Sequence, residues 1–403
     1  MDPVNMMLVG CGMMGARHMR GMAELERTAP GTLRLAAVCD MRSENAEKVA
    51  AEAEELLGSK PAVFTSVEDA VKSVPDLQGV DLVTDPRSHD DLTASLFDAG
   101  LDVLCEKPLA LTVERGRRMV EAAERTGRIL ATAENNRRDP MNRLAKACMD
   151  AGLIGAPNFL LQVSMMSATT ICGTAWRHRL AMGGTLFDVA IHVGYIVESV
   201  LGPIEEIDAR FQLVRPQREG KDAFGNQVQV DVDAEDCFSA LLRFENGAQG
   251  HWTAHFATPG ESVGKRLVIG SEGTLNMPGD RSGKPVEVRR GGETLTGDAL
   301  PAALPDYALN DIETRLFGER PASYSLQGPE TDRKLIAAEM HDFVDAIRNG
   351  RKPEADGAVG LRSVALIYAV MESALARRPV LVRDVLGGSL HAYQDKVEAA
   401  QMA

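Results

Sequence analysis

A surplus of positive charge is what this chain most plainly lacks: 44 lysines and arginines stand against 58 aspartates and glutamates, a net charge of −14. Nucleic acid and anionic membrane both need a basic footprint, so neither is expected as a main partner. A local basic pocket for a phosphate stays open. Long apolar runs are also missing. None approaches the ~20 residues that span a bilayer, and "MDPVNMMLVGCG" has no basic stretch ahead of its apolar residues, so no signal peptide is expected. The six cysteines, at 11, 39, 105, 148, 172 and 237, include no C-x-x-C pair. That pattern fits neither a zinc site nor a disulfide framework and suits a reducing cytoplasm. Repeats and low-complexity tracts are absent.

What is present, over 403 residues, is enough chain for two domains. The first third alternates short apolar runs with amphipathic stretches. "VNMMLVG" (4–10), "LRLAAVCD" (33–40), "VDLVTDP" (80–86), "LDVLCE" (101–106) and "RILATAEN" (128–135) read as strands, with helices such as 17–26 and "SENAEKVAAEAEELLG" between them. Continuous apolar strands separated by helices indicate a parallel sheet covered on both faces, a doubly wound α/β domain expected over residues 1–135. From Asn158 onward the strands alternate more, as in "DCFSALLRF" and "AQGHWTAHFA". Residues 136–403 are therefore expected to form an α+β domain with a large open, mainly antiparallel sheet. Helices are expected around 185–201, 337–349 and 360–376. The segments 215–233 and 278–333 read as excursions from the sheet, the second long for a structureless loop.

Gly10, Gly12 and Gly15 form G-x-G-x-x-G around Met13 and Met14, at the end of the first strand and the start of the first helix. The first glycine allows the tight turn, the second lets backbone approach a pyrophosphate, and the third lets the helix pack close. Asp40, at the end of the second strand, can accept both hydroxyls of an adenosine ribose and repels a 2′-phosphate, which favours NAD over NADP. Arg42 just beyond is either a partner for that phosphate or a solvated loop cation.

Ligands of open parallel sheets bind beyond the carboxyl ends of the strands. "EKP" places Glu106 and Lys107 there, with Pro108 keeping Lys107 out of the α region, and "TDP" places Thr84, Asp85 and Pro86 at the end of the preceding strand. Lys107 can hold or relay a hydroxyl proton; the alternative is a strand-end lysine snorkelling to water. In "GGTLFDVAIH", Asp188 and His192 lie i and i+4 on a helix and share a face. Histidine can take a proton from an alcohol while a neighbouring carboxylate orients it or binds a second hydroxyl. Alone, such a pair is more often a helix-surface pair. No metal site is expected: His251 and His255 share a strand face but lie roughly 13 Å apart at strand rise, too far to bind one ion. His18, after the glycine loop, is expected only to lie near the cofactor.

Together "VGCGMMGARH", "VCD", "TDPRSH", "EKPLALT" and "GGTLFDVAIH", with the later "GKRLVIGSEGTL" and "EMHDFVDAIRNGRKPE", resemble the glucose-fructose oxidoreductase / inositol dehydrogenase family, Gfo/Idh/MocA, over nearly the whole chain. The resemblance implies an N-terminal Rossmann domain and a C-terminal domain whose open sheet forms oligomer contacts, as a dimer or tetramer. It implies that Lys107, Asp188 and His192 act together on a substrate alcohol, with Glu106 near the nicotinamide ribose and a cis Lys107–Pro108 bond. It adds His89, Trp176 and Arg177 to the cofactor contacts, and Asn136, Arg137 and Arg138 of "AENNRRDP", at the domain crossover, to the substrate contacts. Asp85 departs from the small or apolar residue common before that proline, and the 278–333 excursion is longer than the minimal pattern. The expected activity is NAD-dependent oxidation of a secondary hydroxyl on a sugar, glycoside, cyclitol or related ring. The alternatives are a redox-neutral glycosidase or lyase that oxidises transiently on retained NAD, and a non-catalytic dinucleotide-binding protein.

Overall fold

The computed structural model describes residues 2–167, 174–222 and 225–402; Cys172 lies outside them. Six parallel strands, β1 (Val4–Val9), β2 (Leu33–Cys39), β3 (Ala62–Phe64), β4 (Gly79–Leu82), β5 (Asp102–Glu106) and β6 (Leu130–Ala133), pair in the order β3-β2-β1-β4-β5-β6. The helices between them are α1 (Met13–Thr28), α2 (Ser43–Leu57), α3 (Val67–Ser73), α4 (His89–Asp98) and α5 (Val113–Thr126). Strand β1 shows why its apolar run is unbroken. Met6 and Leu8 pack with Met19, Met22 and Val49 on the α1/α2 face, while Met7 and Val9 join Leu96, Phe97 and Val103 on the other. The order reverses between β1 and β4, and a doubly wound sheet binds ligands at such a reversal. Helix α1 is longer than the sequence expectation because the glycine loop itself supplies its first turn.

After a 3₁₀ turn at Asn135–Arg138, α6 (Pro140–Asp150) leads into the second sheet. Asp139 caps α6, accepting from the Met141 amide, with Pro140 in the first turn. The sheet comprises β7 (Pro157–Ser167), β8 (Ile204–Gln212), β11 (Cys237–Phe244), β12 (Gln249–Thr258), β13 (Val263–Gly270), β14 (Gly273–Met277), β15 (Glu287–Arg290), β16 (Glu293–Thr296) and β17 (Val380–Leu381), in the order β16-β15-β14-β13-β7-β12-β11-β8-β17. Every pairing is antiparallel except β7 with β12. The 215–233 excursion is a separate hairpin, β9 (Gln217–Lys221) with β10 (Gln227–Asp231). The 278–333 excursion is structured: β15, β16, α8 (Ala299–Ala302), α9 (Asp311–Phe317) and the start of α10 (Gly328–Asn349) lie in it.

Two further helices carry the second core, α7 (Gly184–Leu201) and α11 (Gly357–Ala376), with α12 (Val382–Leu386) and α13 (Ala392–Gln401) closing the chain. By length and composition Leu180–Leu201 and Gly357–Ala376 could each cross a bilayer, against the expectation from sequence, but 78% of each apolar window is buried inside the protein. Helix α11 lies against β8, α7 and α5 together, and that burial on several sides accounts for its apolarity.

The last third of the chain also returns to the first sheet. Helix α10 packs along α1, with Gly21 so close to Ile336 that a Cβ would collide with it. The Thr132 amide of β6 donates to the Ala355 carbonyl at 2.7 Å, and Ala131 bridges to Asp356.

Candidate functional site

The glycine loop is built by exclusion. Gly10 has φ +92°, and a Cβ on it would strike the Val83 carbonyl; a Cβ on Gly15 would strike the carbonyl of Gly10. Gly12 is different. Nothing in the protein lies within 4 Å of where its Cβ would stand, at the N-cap of α1, a position without a side-chain cap. That open space, faced by the helix amides, is what a pyrophosphate requires. Met13 and Met14 form the half-buried first turn. Asp40 is tied to the same loop: its carboxylate accepts from the Cys11 amide at 2.8 Å and the Arg42 amide at 2.9 Å. Arg42 itself is exposed beside it. The loop, the helix end and Asp40 together fit a dinucleotide with an unphosphorylated ribose.

The carboxyl ends of β4 and β5 lie alongside. The Lys107–Pro108 bond is cis. His89, expected at the cofactor, is fully enclosed: Nδ1 lies 3.1 Å from the Pro108 carbonyl and Nε2 3.2 Å from that of Thr84, so the ring braces the two strand-end turns against each other. Asp85 is satisfied within its own turn, accepting from Arg87 Nε at 2.9 Å, and Pro86 is buried beneath it.

Helix α7 brings Asp188 and His192 to this edge, with Gly183 and Gly184 both at positive φ in the turn that starts it. Sequence spacing pairs the two side chains with each other; the structure pairs each with something else. Lys107 Nζ donates to the Asp188 carbonyl at 3.0 Å and to Oδ1 at 3.2 Å, and Arg177 Nη1 donates to Oδ2 at 2.6 Å. Burial pushes the Asp188 carboxyl up, but the two cations outweigh it and hold it at about 2. The Arg177 guanidinium also lies 4.7 Å from the centre of the Trp176 ring. His192 Nδ1 lies 2.7 Å from Oε2 of Glu134, a fully buried carboxylate at the end of β6. Among the described residues nothing else bonds the His192 ring, so Nε2 is the atom available to a ligand.

The three crossover residues divide. Arg138 is buried and committed to Asp342 of α10 at 2.8 Å and to Glu354, which makes it part of an ion-pair network that ties the crossover to the last third of the chain. Arg137 makes a looser contact with Glu354 at 3.4 Å. Asn136 Oδ1 accepts from Arg281 Nε at 2.8 Å; burial pushes the neighbouring Asp280 carboxyl up, but Arg266, then Asn142 and last His192, bring it below its ordinary value. Glu134 and Asp280 were both missed in the sequence. Glu134 carried a signal, a charge at the end of a buried strand, the same sign that singled out Lys107. Asp280 carried none. His18, expected merely near the cofactor, lies beneath Glu106 with Asp81 on its other side.

Residues 4–134 match the model of an oxidoreductase family with an NAD-binding Rossmann fold, and residues 142–276 match the GFO/IDH/MocA C-terminal domain. The chain belongs to the GFO/IDH/MocA oxidoreductase family. Within that family it is 27% identical to the levoglucosan dehydrogenase of Pseudarthrobacter phenanthrenivorans, over 93% of this chain and 97% of that protein. It is 26% identical to the D-apiose dehydrogenase of Paraburkholderia graminis, over 94% and 89% respectively. Among solved structures, levoglucosan dehydrogenase in complex with NADH and L-sorbose superposes with a TM-score of 0.74 at 25% identity, covering 95% of this chain and 99% of that one.

Proposed function

We propose that this GFO/IDH/MocA oxidoreductase oxidises a secondary hydroxyl on a polyhydroxylated ring: a sugar, glycoside or cyclitol. The observation that carries the reading is the convergence of Lys107, Asp188 and Arg177 with the His192–Glu134 pair at the strand ends beside the glycine loop. NAD, when bound, supplies the hydride acceptor. Gly10, Gly12 and Gly15 with the α1 amides hold its pyrophosphate, Asp40 its adenosine ribose, and Glu106 the ribose at the other end. His192 Nε2 takes the hydroxyl proton. Glu134 at Nδ1 fixes the tautomer that leaves Nε2 as the acceptor, and then stabilises the imidazolium. Lys107 binds the same oxygen and steadies the charge that develops on it. Asp188, kept ionised by Lys107 and Arg177, has no proton to give and cannot serve as the acid; it accepts from a neighbouring hydroxyl and aims the lysine. Arg137 and Asn136 contact the far side of the ring.

On this reading residues 1–135 bind the dinucleotide, while residues 136–403, joined by Lys107 and Glu134, supply the substrate site and the assembly surface. The open face of the nine-stranded sheet, where Leu241 is 60% exposed, supports a homo-oligomer formed through it. Cys11, Cys39, Cys105, Cys148 and Cys237 are free thiols, which supports a reducing cytoplasmic location. The deciding experiment is a screen of anhydrosugars, glycosides, pentoses and cyclitols for NADH absorbance, repeated with NADP. Stoichiometric NADH with at least one ring polyol is expected. Product formation with far less than one NADH per turnover would reject the dehydrogenase in favour of a redox-neutral enzyme.

A further inference from the structure

Beneath the strand ends Glu106 meets two buried residues that the proposed reaction leaves unused, His18 and Asp81. His18 points from α1 into the sheet and is wholly buried. Its Nδ1 lies 2.9 and 3.1 Å from the two carboxylate oxygens of Asp81, and its Nε2 lies 3.5 Å from Oε2 of Glu106, the reach of an ion pair rather than of a tight hydrogen bond. Asp81 stands inside β4, level with Leu8 of β1 and Leu104 of β5. A carboxylate in the middle of a parallel sheet costs several kcal/mol in desolvation, and an apolar residue of similar volume is often the more stable choice.

Geometry indicates what the cluster does. Carboxylates face both ring nitrogens, Asp81 at hydrogen-bond distance from Nδ1 and Glu106 at 3.5 Å from Nε2, an arrangement that favours the imidazolium. Burial opposes that charge, but Asp81 and Glu106 outweigh it and hold His18 well above its ordinary value. Asp81 grips Nδ1 with two oxygens and so fixes the plane in which Nε2 meets Glu106, as a carboxylate orients a histidine in metal sites and triads. Glu106 responds: burial pushes its carboxyl up, yet His18, then Lys107 and His192, bring it down to about 2. From α10, Glu339 faces the same space. Burial pushes its carboxyl well above the ordinary value, against the opposing pull of His18. Arg17, also on α1, is taken by Asp332 at 2.6 Å. His18 is thus the cation that meets Glu106 from the side opposite the ligand.

We infer that His18, clamped by Asp81, is a positioning residue that holds the Glu106 carboxylate toward the nicotinamide end of the cofactor. This rests on the dehydrogenase reading for the role of Glu106, while the geometry of the cluster is independent of it.

Two amides separate the contacts. In His18→Gln the amide reaches to about where Nε2 stood and can still meet Glu106; in His18→Asn it stops near Nδ1 and meets only Asp81. If His18 acts through Glu106, His18→Asn loses on the order of 10–100-fold in kcat, the range seen when a group that orients a functional ligand is removed. NAD affinity by fluorescence titration falls with it, and His18→Gln recovers part of both. Combining His18→Asn with Glu106→Gln then costs no more than Glu106→Gln alone, since the two act as one unit. If His18 serves only the fold, His18→Asn is the milder variant and the effects multiply; either result overturns the proposal. Should His18→Asn not fold, nitrogen NMR of the histidine-labelled wild type decides. The signal missing from His18→Gln is expected to show both ring nitrogens protonated in mildly alkaline buffer and to lose a proton in Glu106→Gln. A neutral ring in the wild type overturns the proposal. The titration and the NMR need no substrate, so they stand even if no polyol is oxidised.

Discussion

Strands β4, β5 and β6 of the parallel sheet are buried along their whole length, whereas β11 of the nine-stranded sheet alternates buried and exposed residues, Leu241 among the latter. The two sheets serve the site in correspondingly different ways. The first offers a glycine turn, helix amides, and strand ends whose direction the sheet dictates and which carry Lys107 and Glu134 into the site. The second offers side chains on α7 and a face left open. Cofactor binding is therefore coupled to the geometry of the chain itself, while the substrate contacts that α7 supplies can be exchanged without disturbing the strands beneath them.

The largest expected effect tests the side-chain half. His192→Ala should lower kcat by ~10²–10⁴-fold, as loss of a general base does, and leave NAD affinity nearly unchanged; a simultaneous loss of NAD binding would break the division. The backbone half is tested at Gly12, where a methyl meets no protein atom. Gly12→Ala should melt with the wild type yet bind NAD on the order of tenfold more weakly or worse, because the methyl occupies the phosphate's approach. Gly15→Ala should lose thermal stability as well. Asp40→Ala should narrow or reverse the preference for NAD over NADP, read by titrating both cofactors; a wild-type preference for NADP would give Arg42 the deciding role.

Smaller effects lie at the junction and on the open face. Burial raises the Glu354 carboxyl, but Arg138, Arg143 and Arg137 bring it from 4.5 to about 2. A depressed carboxylate contributes stability above its unfolded value and loses it as pH falls through the folded one. Glu354→Gln should therefore cost about 2–3 kcal/mol at neutral pH, with the gap to the wild type closing between pH 4.5 and 2, as followed by denaturant midpoints. Leu241→Arg should leave the stability of the subunit within about 0.5 kcal/mol while shifting the sedimentation of the proposed homo-oligomer toward smaller species. Unchanged sedimentation would reject the open sheet face as an assembly surface.

The parallel sheet was legible because burial on both faces leaves unbroken apolar runs, and the glycine loop because few arrangements other than a phosphate turn need those three glycines. Helix α7 was legible from Gly183–Gly184 and the spacing of Asp188 and His192. Their partners were not. Spacing along one helix shows what shares a face, but Glu134 and Lys107 reach that face from strands of another sheet, 58 and 81 residues away in the chain. The 278–333 segment hid its elements because β15, β16 and α8 are four residues each, too short to establish a period. The parallel pairing of β7 with β12 left no mark, since alternation along a strand says nothing of its neighbour's direction.

The return of the chain to the first sheet bears on how such proteins can be recombined. Met19 and Met22 of α1 share a core with Ala337, Met340 and Phe343 of α10, and β6 borrows a backbone partner from Ala355. The boundary expected at residue 135 is therefore not a boundary of packing. A crossover there would carry the dinucleotide site into a new host while leaving behind the helix that covers its back, and the transplanted segment would meet a foreign α10 with Ile336 replaced by whatever the host places against Gly21. Exchange between relatives thus needs two breakpoints, the second bringing residues 328–360 along, or a host whose own α10 already fits.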